Sequence, residues 1–535
     1  MTLFSIQFLL LMSAAFILFY CLPKRFQWCV LLATSIIFYY AMGGLEAGAF
    51  LLVTIVVSFL AARRMDDLAE EQKRELKSGT EPLTREQKKE IKERYGRRRK
   101  KIFVLAMIFC LGILIVLKFS DFTVQNINGL LRIAHSSRQL PIPDLLLPLG
   151  ISFYTFQLTG YLIDVYKGKC RADRNILQYA LFACYFPQII QGPINRHAQL
   201  AEQLYGEHHF DEMRFRKGLL RMLWGYFKKM VISANVVILS DHIINNFETE
   251  GYRGLTVFIG VLFYGIQMYA DFSGGIDIVI GISELFGISL SENFHNPYMA
   301  ETVSDFWQRW HISLGHWMRD YLFYPIALSK RFSRLAKFMK KKIDPYYGKV
   351  VPSALASFIV FVTVGLWHGA AWRYVAFGFY QATLTSADTL LERPSEKLRN
   401  ACRIDGDSFA WHLFRMLRTV FLINIGRYFD CTNGLKISLK MLKATFTSWN
   451  PGVLFDGSFL QMGLEPGVFR LSMYLLVLLV GVDILNEKGI IIRDVVAKQG
   501  LVFRWLFYLI AIFAILLWGS YGPGYNAAAF IYQKF

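Results

Sequence analysis

Long apolar runs separated by short polar stretches dominate the chain. A helix that crosses a bilayer needs about 20 mostly apolar residues, and runs that approach this length recur from one end to the other. They are residues 2–22, 26–43, 49–62, 102–117, 145–162, 219–239, 255–270, 350–366, 371–387, 414–425, 468–484 and 501–518. The pattern predicts an all-α, polytopic membrane bundle of about eleven spans, because the shortest runs can be re-entrant or interfacial.

Composition and charge support a multi-pass membrane protein. Only 19% of the residues are charged, against roughly 25% in soluble domains. The net charge is +19, and the basic residues gather in two loops, residues 63–101 and 330–349, which the positive-inside rule puts in the cytoplasm. Residues 2–22 lack a preceding basic residue, so they are interpreted as a retained span and not a signal peptide. The charge predicts contact with anionic lipid and no nucleic-acid partner.

The polar segments divide the chain into three zones. Residues 1–101 hold N-terminal transmembrane helices and the charged cytoplasmic loop, which is predicted to form a helical hairpin or extension. Residues 102–390 form a central core, and residues 391–535 form C-terminal transmembrane helices. No pair of broken helices repeats in two halves, which weakens a transporter interpretation.

His368 is the first candidate for chemistry. It lies in the sequence VGLWHGAAW, at the end of an apolar run. An ionisable side chain inside a membrane is costly and is by default a functional candidate. A buried imidazole is neutral because desolvation disfavours its charged form, and a neutral imidazole can act as a general base. The alternative is a core histidine that bonds to a carbonyl.

Residues 301–324 provide the second candidate. Trp307, Trp310 and Leu314 recur at helical spacing, which predicts one amphipathic helix at the membrane interface or along a cavity wall. His311 lies beside this stripe, whereas His316 points away, so the two do not suggest one metal site. The alternative is an interfacial helix without chemistry.

Polar residues also interrupt other apolar runs. Asp271, Ser273 and Asp277 adjoin two glycines, which predicts a broken helix of the kind that lines cavities. Gln157 and Gln191 also lie on apolar backgrounds and could serve helix packing alone. Together these residues suggest a polar tunnel.

Several catalytic motifs are missing from the sequence. It has no G-x-S-x-G elbow, no H-E-x-x-H helix and no glycine-rich phosphate loop. Its cysteines lack metal-type spacing. A serine hydrolase, a zinc protease and an ATP-driven pump are therefore unsupported, and no metal is predicted.

Four ordered motifs, DFSGGID, ENFHNPY, FWQRWHISLGHWMRDYLFYP and GLWHGAAW, resemble the membrane-bound O-acyltransferase family. The nearest branch contains bacterial alginate O-acetylases and D-alanyl transfer proteins of teichoic acid synthesis. PLGISFYTFQ, FPQIIQGPINR and the terminal YGPGYNAAAFIYQKF extend the resemblance nearly end to end. The basic stretch 330–349 and residues 424–430 depart from the family pattern, so no role is carried onto them.

The resemblance implies a helical bundle with re-entrant and interfacial helices around a central tunnel. It implies that His368 takes the proton of an acceptor hydroxyl, which attacks an acyl thioester, and that His311 orients the acyl group or donates to the oxyanion. The residues predicted to line the substrate tunnel are Gln157, Gln191, Asp271, Ser273, Asn296, Trp310, Arg319 and Trp367.

The leading function hypothesis is transfer of an acyl group, most simply acetyl, to hydroxyls of an exported or cell-envelope polysaccharide in a bacterial cytoplasmic membrane. No cofactor is expected to be bound. The acyl donor, acetyl-CoA or an acyl carrier thioester, would be a cytoplasmic co-substrate, and an extracytoplasmic transferase could complete the transfer. The alternatives are D-alanyl transfer to teichoic acid from a carrier protein and, in another class, a solute transporter.

Overall fold

The structure is a computed structural model that describes residues 3, 5–77, 83–461 and 465–521. Within these ranges the chain is helical without a β-strand, and a single isolated bridge joins Phe294 and Trp310. The predicted all-α class is confirmed. Residues 522–535, which carry all but the first residue of the terminal motif of the predicted resemblance, lie outside the described residues.

Among the described residues, seven helical segments are long and apolar enough to cross a membrane. They are Lys24–Glu75, Arg85–Ile133, Glu212–Asn245, Gly254–Leu285, Pro345–His368, Pro466–Glu487 and Leu501–Trp518. The last of these buries only 6% of its apolar window, as expected of a helix that faces lipid. The protein is therefore a multi-pass membrane protein, and the count of about eleven spans stays a prediction.

The chain divides into two compact units, Met1–Phe215 with Ile282–Ser291, and Arg216–Gly281 with Glu292–Phe535. The first unit contains α1 (Ile6–Cys21), α2 (Gln27–Glu75), α3 (Arg85–Ile133), α4 (Ile151–Tyr166), α5 (Ile176–Cys184) and α6 (His197–Tyr205). The three zones expected from the sequence stay a prediction.

The second unit contains most of α7 (Glu212–Tyr226), a π-helix (Phe227–Ser233), α8 (Ala234–Asn245), most of α9 (Gly254–Leu285), α10 (Val303–Arg309), α11 (Ile312–Met318), a second π-helix (Arg319–Phe323), α12 (Tyr324–Ala327), α13 (Lys330–Lys342), α14 (Pro345–His368), α15 (Trp372–Ala401), α16 (Phe409–Asp430), α17 (Leu435–Thr447), α18 (Pro466–Glu487), α19 (Ile492–Ala497) and α20 (Leu501–Trp518).

The described parts of the charged loop at 63–101 form the two helices of a hairpin, as the sequence predicted. α2 continues to Glu75, and α3 begins after Thr84, whose side chain caps the helix in a capping box with Gln87. Ion pairs within and across the hairpin join Arg64 to Glu71 and Arg94 to Glu75. Complementary charges and a strong N-cap therefore carry both helices beyond their apolar segments.

The helix break predicted near Asp271 is wrong. α9 runs without interruption through Gly274. A Cβ atom at Gly274 would lie 2.8 Å from the carbonyl oxygen of Gly225 and 3.0 Å from the backbone nitrogen of Lys229. The glycine therefore serves close packing of α9 against the end of α7 and the π-helix, and does not bend the chain.

The single helix predicted over 301–324 is also wrong. α10 ends at Arg309, Trp310 is extended, and His311 adopts a left-handed backbone conformation with φ 49° and ψ 51° before α11 begins. The backbone here pairs with an upstream segment: the His295 nitrogen donates to the Arg309 carbonyl at 3.0 Å, and the Ile312 nitrogen donates to the Asn293 carbonyl at 3.0 Å. These hydrogen bonds take the place of the helical hydrogen bonds that a continuous helix would have here. The spacing of large residues alone does not reveal them.

α14 and α15 form a helical pair that crosses at two glycines. A Cβ atom at Gly365 would lie 2.6 Å from the Cα atom of Gly378, so no larger residue fits this crossing. Away from the crossing the two helices provide two walls of a cavity.

Candidate active site

A cavity of about 500 Å³ lies in the second unit. Its walls come from α10, α11, the π-helix that follows, α14 and α15. The lining residues are Ser304, Trp307, Gln308, Trp310, His311, Ile312, Leu314, Gly315, His316, Met318, Arg319, Phe323, Ser357, Val360, Phe361, Val364, His368, Thr385 and Thr389. Two histidines that are separated by 57 positions in the sequence thus meet around one space.

The lining is graded from exposed to buried. His316 and Arg319 are exposed, whereas Trp310, His311 and His368 are buried. The lining of the cavity therefore combines exposed polar side chains, which form its rim, with two buried imidazoles.

His311 is held by Asn293 of the upstream paired segment and by Phe272 of α9. Its Nδ1 atom lies 3.2 Å from Oδ1 of Asn293, and the ring of Phe272 contacts it edge-on at 5.0 Å between centroids. Burial lowers the pKa of His311, because desolvation penalises the charged imidazolium. The ring is neutral at pH 7 in this environment.

His368 is the last residue of α14 and lies among aromatic rings. The centroid of its imidazole is 5.1 Å from that of Trp367 and 5.5 Å from that of Phe377, and it stacks on Tyr374 at 6.5 Å. Trp367 also contacts His311 at 6.1 Å. One indole therefore packs against both histidines.

Two cavity residues carry buried polar atoms without a hydrogen-bond partner in the described part of the chain. These atoms are Oγ1 of Thr385, whose side chain is buried, and Nε1 of Trp307. An unsatisfied buried polar group costs free energy comparable to a lost hydrogen bond.

Four of the predicted site residues, His311, His368, Trp310 and Arg319, line this cavity. Trp367 packs against both histidines without lining it. The catalytic roles of the two histidines stay a prediction.

The remaining predicted residues have other surroundings. Asn296 donates to Glu487 at 3.0 Å. Gln157 donates to the Phe182 carbonyl at 2.8 Å, and both Gln157 and Gln191 are buried in the first unit.

Asp271 and Ser273 belong to a buried network of charges between α9 and the segment from α7 to the first π-helix. Asp271 pairs with Lys229, and Ser273 accepts a hydrogen bond from Lys228 at 2.9 Å. The Lys228 ammonium also lies 2.7 Å from Asp277.

Arg221 completes this network. Its guanidinium donates to Asp277 at 2.9 Å and to Glu292 at 2.7 Å. Sequence reasoning missed Arg221, Lys228 and Lys229. The sequence did contain a clue to them: cations inside one apolar run need carboxylates from another segment as partners.

A buried arginine packs against Trp310, one of the residues that line the cavity. The guanidinium of Arg427 lies 4.7 Å from the centre of the Trp310 ring, and it pairs with Asp430 at 3.2 Å. Sequence reasoning carried no role onto this region. The contact fixes the indole that precedes His311.

Comparisons with known proteins bear on this arrangement. Residues 172–341 match the family model of the membrane-bound O-acyltransferases, so the resemblance predicted from the motifs is confirmed. His311 lies within the matched segment, and His368 follows it.

Three curated relatives illustrate the similarity. The chain is 30% identical to the probable alginate O-acetylase of Pseudomonas syringae over 344 residues, which cover 64% of this chain and 60% of the relative. It is 28% identical over 366 residues to the peptidoglycan O-acetyltransferase of Helicobacter pylori, covering 64% and 63%. It is 27% identical over 274 residues to the teichoic acid D-alanyltransferase of Bacillus subtilis, covering 50% and 65%. The match thus spans less than two thirds of each relative.

Proposed function

We propose that this protein, whose central segment matches the membrane-bound O-acyltransferase family, is an O-acyltransferase of a bacterial cytoplasmic membrane. It transfers an acyl group, with acetyl as the first choice, to hydroxyls of an exported or cell-envelope polysaccharide. The observation that carries the proposal is the cavity in which buried His311 and His368 lie below an exposed rim. Acyl transfer to an alcohol needs such a place, where an imidazole can take a proton away from bulk water.

In the proposed reaction His368 takes the proton from the acceptor hydroxyl. The hydroxyl oxygen attacks the carbonyl carbon of an acyl thioester, the carbon–sulfur bond breaks, and the proton passes to the departing thiolate. The products are an ester and a free thiol, so protons and electrons balance without an added oxidant or metal. General-base assistance of this kind is worth about 10²- to 10⁴-fold in rate.

The cavity lining suits a thioester donor, either acetyl-CoA or an acyl carrier protein. The hydroxyl of Thr385 and the indole N–H of Trp307 can bond to amide or carbonyl groups of a pantetheine arm. Apolar neighbours such as Val360 and Phe361 suit the methylene groups. The donor approaches from the cytoplasmic side, and an extracytoplasmic transferase receives or completes the transfer.

D-alanyl transfer to teichoic acid is the second candidate. It is favoured by the similarity to the teichoic acid D-alanyltransferase of Bacillus subtilis, and the same imidazole chemistry serves either acyl group. Acetyl transfer is preferred because the O-acetylases match over a larger share of the chain, 64% against 50%.

The experiment compares envelopes from cells that express the wild type, His368→Ala or His242→Ala. His242 bonds to Tyr252 away from the cavity and is the control imidazole. We expect mild alkali to release acetate from wild-type and control envelopes, and His368→Ala to lower the esterification rate by about 10²- to 10⁴-fold.

Three outcomes would contradict parts of this proposal. Release of D-alanine would replace acetyl transfer by the second candidate. Full esterification by a His368→Ala protein that remains in the membrane would remove His368 from the reaction. Absence of any protein-dependent ester would favour a solute transporter.

A further inference from the structure

The hydrogen bonds around Asn293 determine which nitrogen of His311 carries the proton. Oδ1 of Asn293 accepts from the backbone nitrogen of Ser313 at 3.0 Å. A backbone N–H can only donate, so this atom of Asn293 must be the amide oxygen and cannot be the amide nitrogen. The orientation of the Asn293 side chain is therefore fixed.

The same oxygen fixes the imidazole of His311. Nδ1 of His311 lies 3.2 Å from it, and two acceptors cannot share a hydrogen bond, so Nδ1 must donate. A neutral imidazole carries one proton, and burial lowers the pKa of His311. Nε2 consequently holds a lone pair.

This site is rigid enough to hold one tautomer. Asn293, His311 and Ser313 are each at most 3% exposed. The Ser313 hydroxyl gives Asn293 Oδ1 a further hydrogen bond at 2.9 Å, and the adjoining backbone is paired between Ile312 and Asn293. Turning the amide would lose the hydrogen bonds from Ser313 and His311 together.

We propose that Asn293 is a positioning residue that holds His311 as a hydrogen-bond acceptor at Nε2, and that His311 receives a second hydroxyl of the acceptor substrate. The inference rests on the proposed function. The attacking hydroxyl has a single proton, which it gives to His368, so the hydrogen that reaches His311 comes from another hydroxyl. A saccharide supplies neighbouring hydroxyls of this kind.

The assignment excludes one of the two roles that the family resemblance implied for His311, which is donation to the oxyanion. An imidazole with a lone pair at Nε2 cannot donate from that atom to an oxyanion. Orientation of a polyhydroxyl acceptor replaces oxyanion stabilisation as the role of His311. Buried hydrogen-bond partners of this type discriminate strongly against substrates that lack the matching hydroxyl.

The first test reads the tautomer directly and does not depend on activity. Protein labelled with ¹⁵N in its histidine rings is reconstituted in lipid nanodiscs, and solid-state NMR spectra of the wild type and His311→Asn identify the His311 signals by difference. We expect a protonated Nδ1 and an unprotonated Nε2. Asn293→Ala should produce a mixture of tautomers.

The control for this measurement is Asn195→Ala. Asn195 is also buried, and its Oδ1 also accepts a backbone N–H, that of Ser291 at 3.0 Å, so the variant loses a comparable amide in the first unit. Its His311 signals should match those of the wild type. A proton on Nε2 of His311 in the wild type, or unchanged signals in Asn293→Ala, would overturn the proposal.

The second test measures acyl transfer from an acetyl thioester to a saccharide and to a simple alcohol. Loss of one orienting hydrogen bond in a buried site costs about 10- to 100-fold, so Asn293→Ala should lower kcat/KM for the saccharide by that factor. The alcohol, which has no second hydroxyl, should lose little. Ser313→Ala keeps the backbone donor and should change both values less than Asn293→Ala does.

Asn293→Asp adds a pH-dependent readout. A carboxylate beside Nδ1 favours the imidazolium and raises the pKa of His311, so Nε2 becomes protonated as the pH falls, and activity should be lost at a higher pH than in the wild type. His316, Arg319 and His368 line the same cavity, and Asp271, which precedes Phe272 on α9, is paired with Lys229 of the first π-helix. All of these groups remain in both proteins, so the difference reports position 293.

The kinetic outcomes separate two failures. A wild type without acyl transfer would refute the proposed function, while the NMR result would still decide the tautomer. Active protein in which Asn293→Ala affects saccharide and alcohol equally, or in which Asn293→Asp leaves the pH profile unchanged, would refute the role of Asn293.

Discussion

Two segments of the second unit fold in the opposite way to the sequence prediction: the one predicted to break is continuous, and the one predicted to be continuous breaks. α9 contains adjacent glycines and polar residues but stays helical through Gly274. Residues 301–324 have a regular stripe of large residues but break at His311. In the first segment the polar groups find charged partners; in the second the backbone finds hydrogen bonds outside the helix. Tertiary partners, and not local residue preference, decide where this membrane chain leaves the helical conformation.

The largest effect on stability is expected from breaking the buried ion pair between Asp271 of α9 and Lys229 of the first π-helix. Lys229→Met leaves Asp271 as an uncompensated buried carboxylate, which costs about 3 to 5 kcal/mol. We expect this decrease in the free energy of unfolding, measured by SDS titration of protein in mixed micelles.

The matched control for that change is the double variant Lys229→Met, Asp271→Leu. It removes both charges and keeps apolar volume, so it should recover most of the lost stability. A double variant as unstable as Lys229→Met alone would mean that packing, and not charge compensation, keeps α9 continuous here.

A smaller effect is expected at the glycine contact between α9 and the end of α7. Gly274→Ala puts a Cβ atom 2.8 Å from the carbonyl oxygen of Gly225. Backbone atoms cannot move aside cheaply, so the variant should lose about 1 to 3 kcal/mol. Differential scanning calorimetry of the purified protein should show a lower Tm than for the wild type.

Gly48→Ala provides the control on another apolar helix. A Cβ atom at Gly48 meets no atom within 4 Å, so this variant should gain up to about 1 kcal/mol from helix propensity. Equal effects at the two positions would show that propensity alone governs these helices.

The limits of sequence reasoning follow from the same contrast. Apolar runs predicted the all-α class and many helix positions, because lipid requires every backbone hydrogen bond to be satisfied within the segment. Their positions in or beside apolar segments made His368 and His311 candidates, motif resemblance implied roles for them, and the structure brings both to one cavity. Neither periodicity nor motif order reveals a pairing between Phe294 and Trp310, since such contacts depend on backbone geometry.

The residue that each side chain contacts in the folded protein was the least predictable part of the site. Asn293 belongs to the quoted motif ENFHNPY, but nothing in the motif says that its amide faces His311. Thr385 lies 81 positions after Ser304, and the cavity they share exists only after α10 packs near α15. A rule that pairs intramembrane cations with carboxylates would have found Lys228 and Asp277, whereas no comparable rule identifies neutral hydrogen-bond partners.

The smallest expected effect concerns the backbone conformation of His311, which costs free energy that a helical residue of α9 does not lose. His311 has φ 49°, where a residue with a Cβ atom is disfavoured by about 1 to 2 kcal/mol and glycine is not. His311→Gly should therefore be more stable than His311→Ala by about 1 kcal/mol. In α9, Ala270→Gly should have the opposite sign and lose about 1 kcal/mol, since glycine is unfavourable inside a helix. Free energies of unfolding from the same SDS titrations provide the comparison. If His311→Ala were as stable as His311→Gly, the left-handed conformation at the break would have no energetic cost, and only the hydrogen bonds to Asn293 would set it apart from a helix.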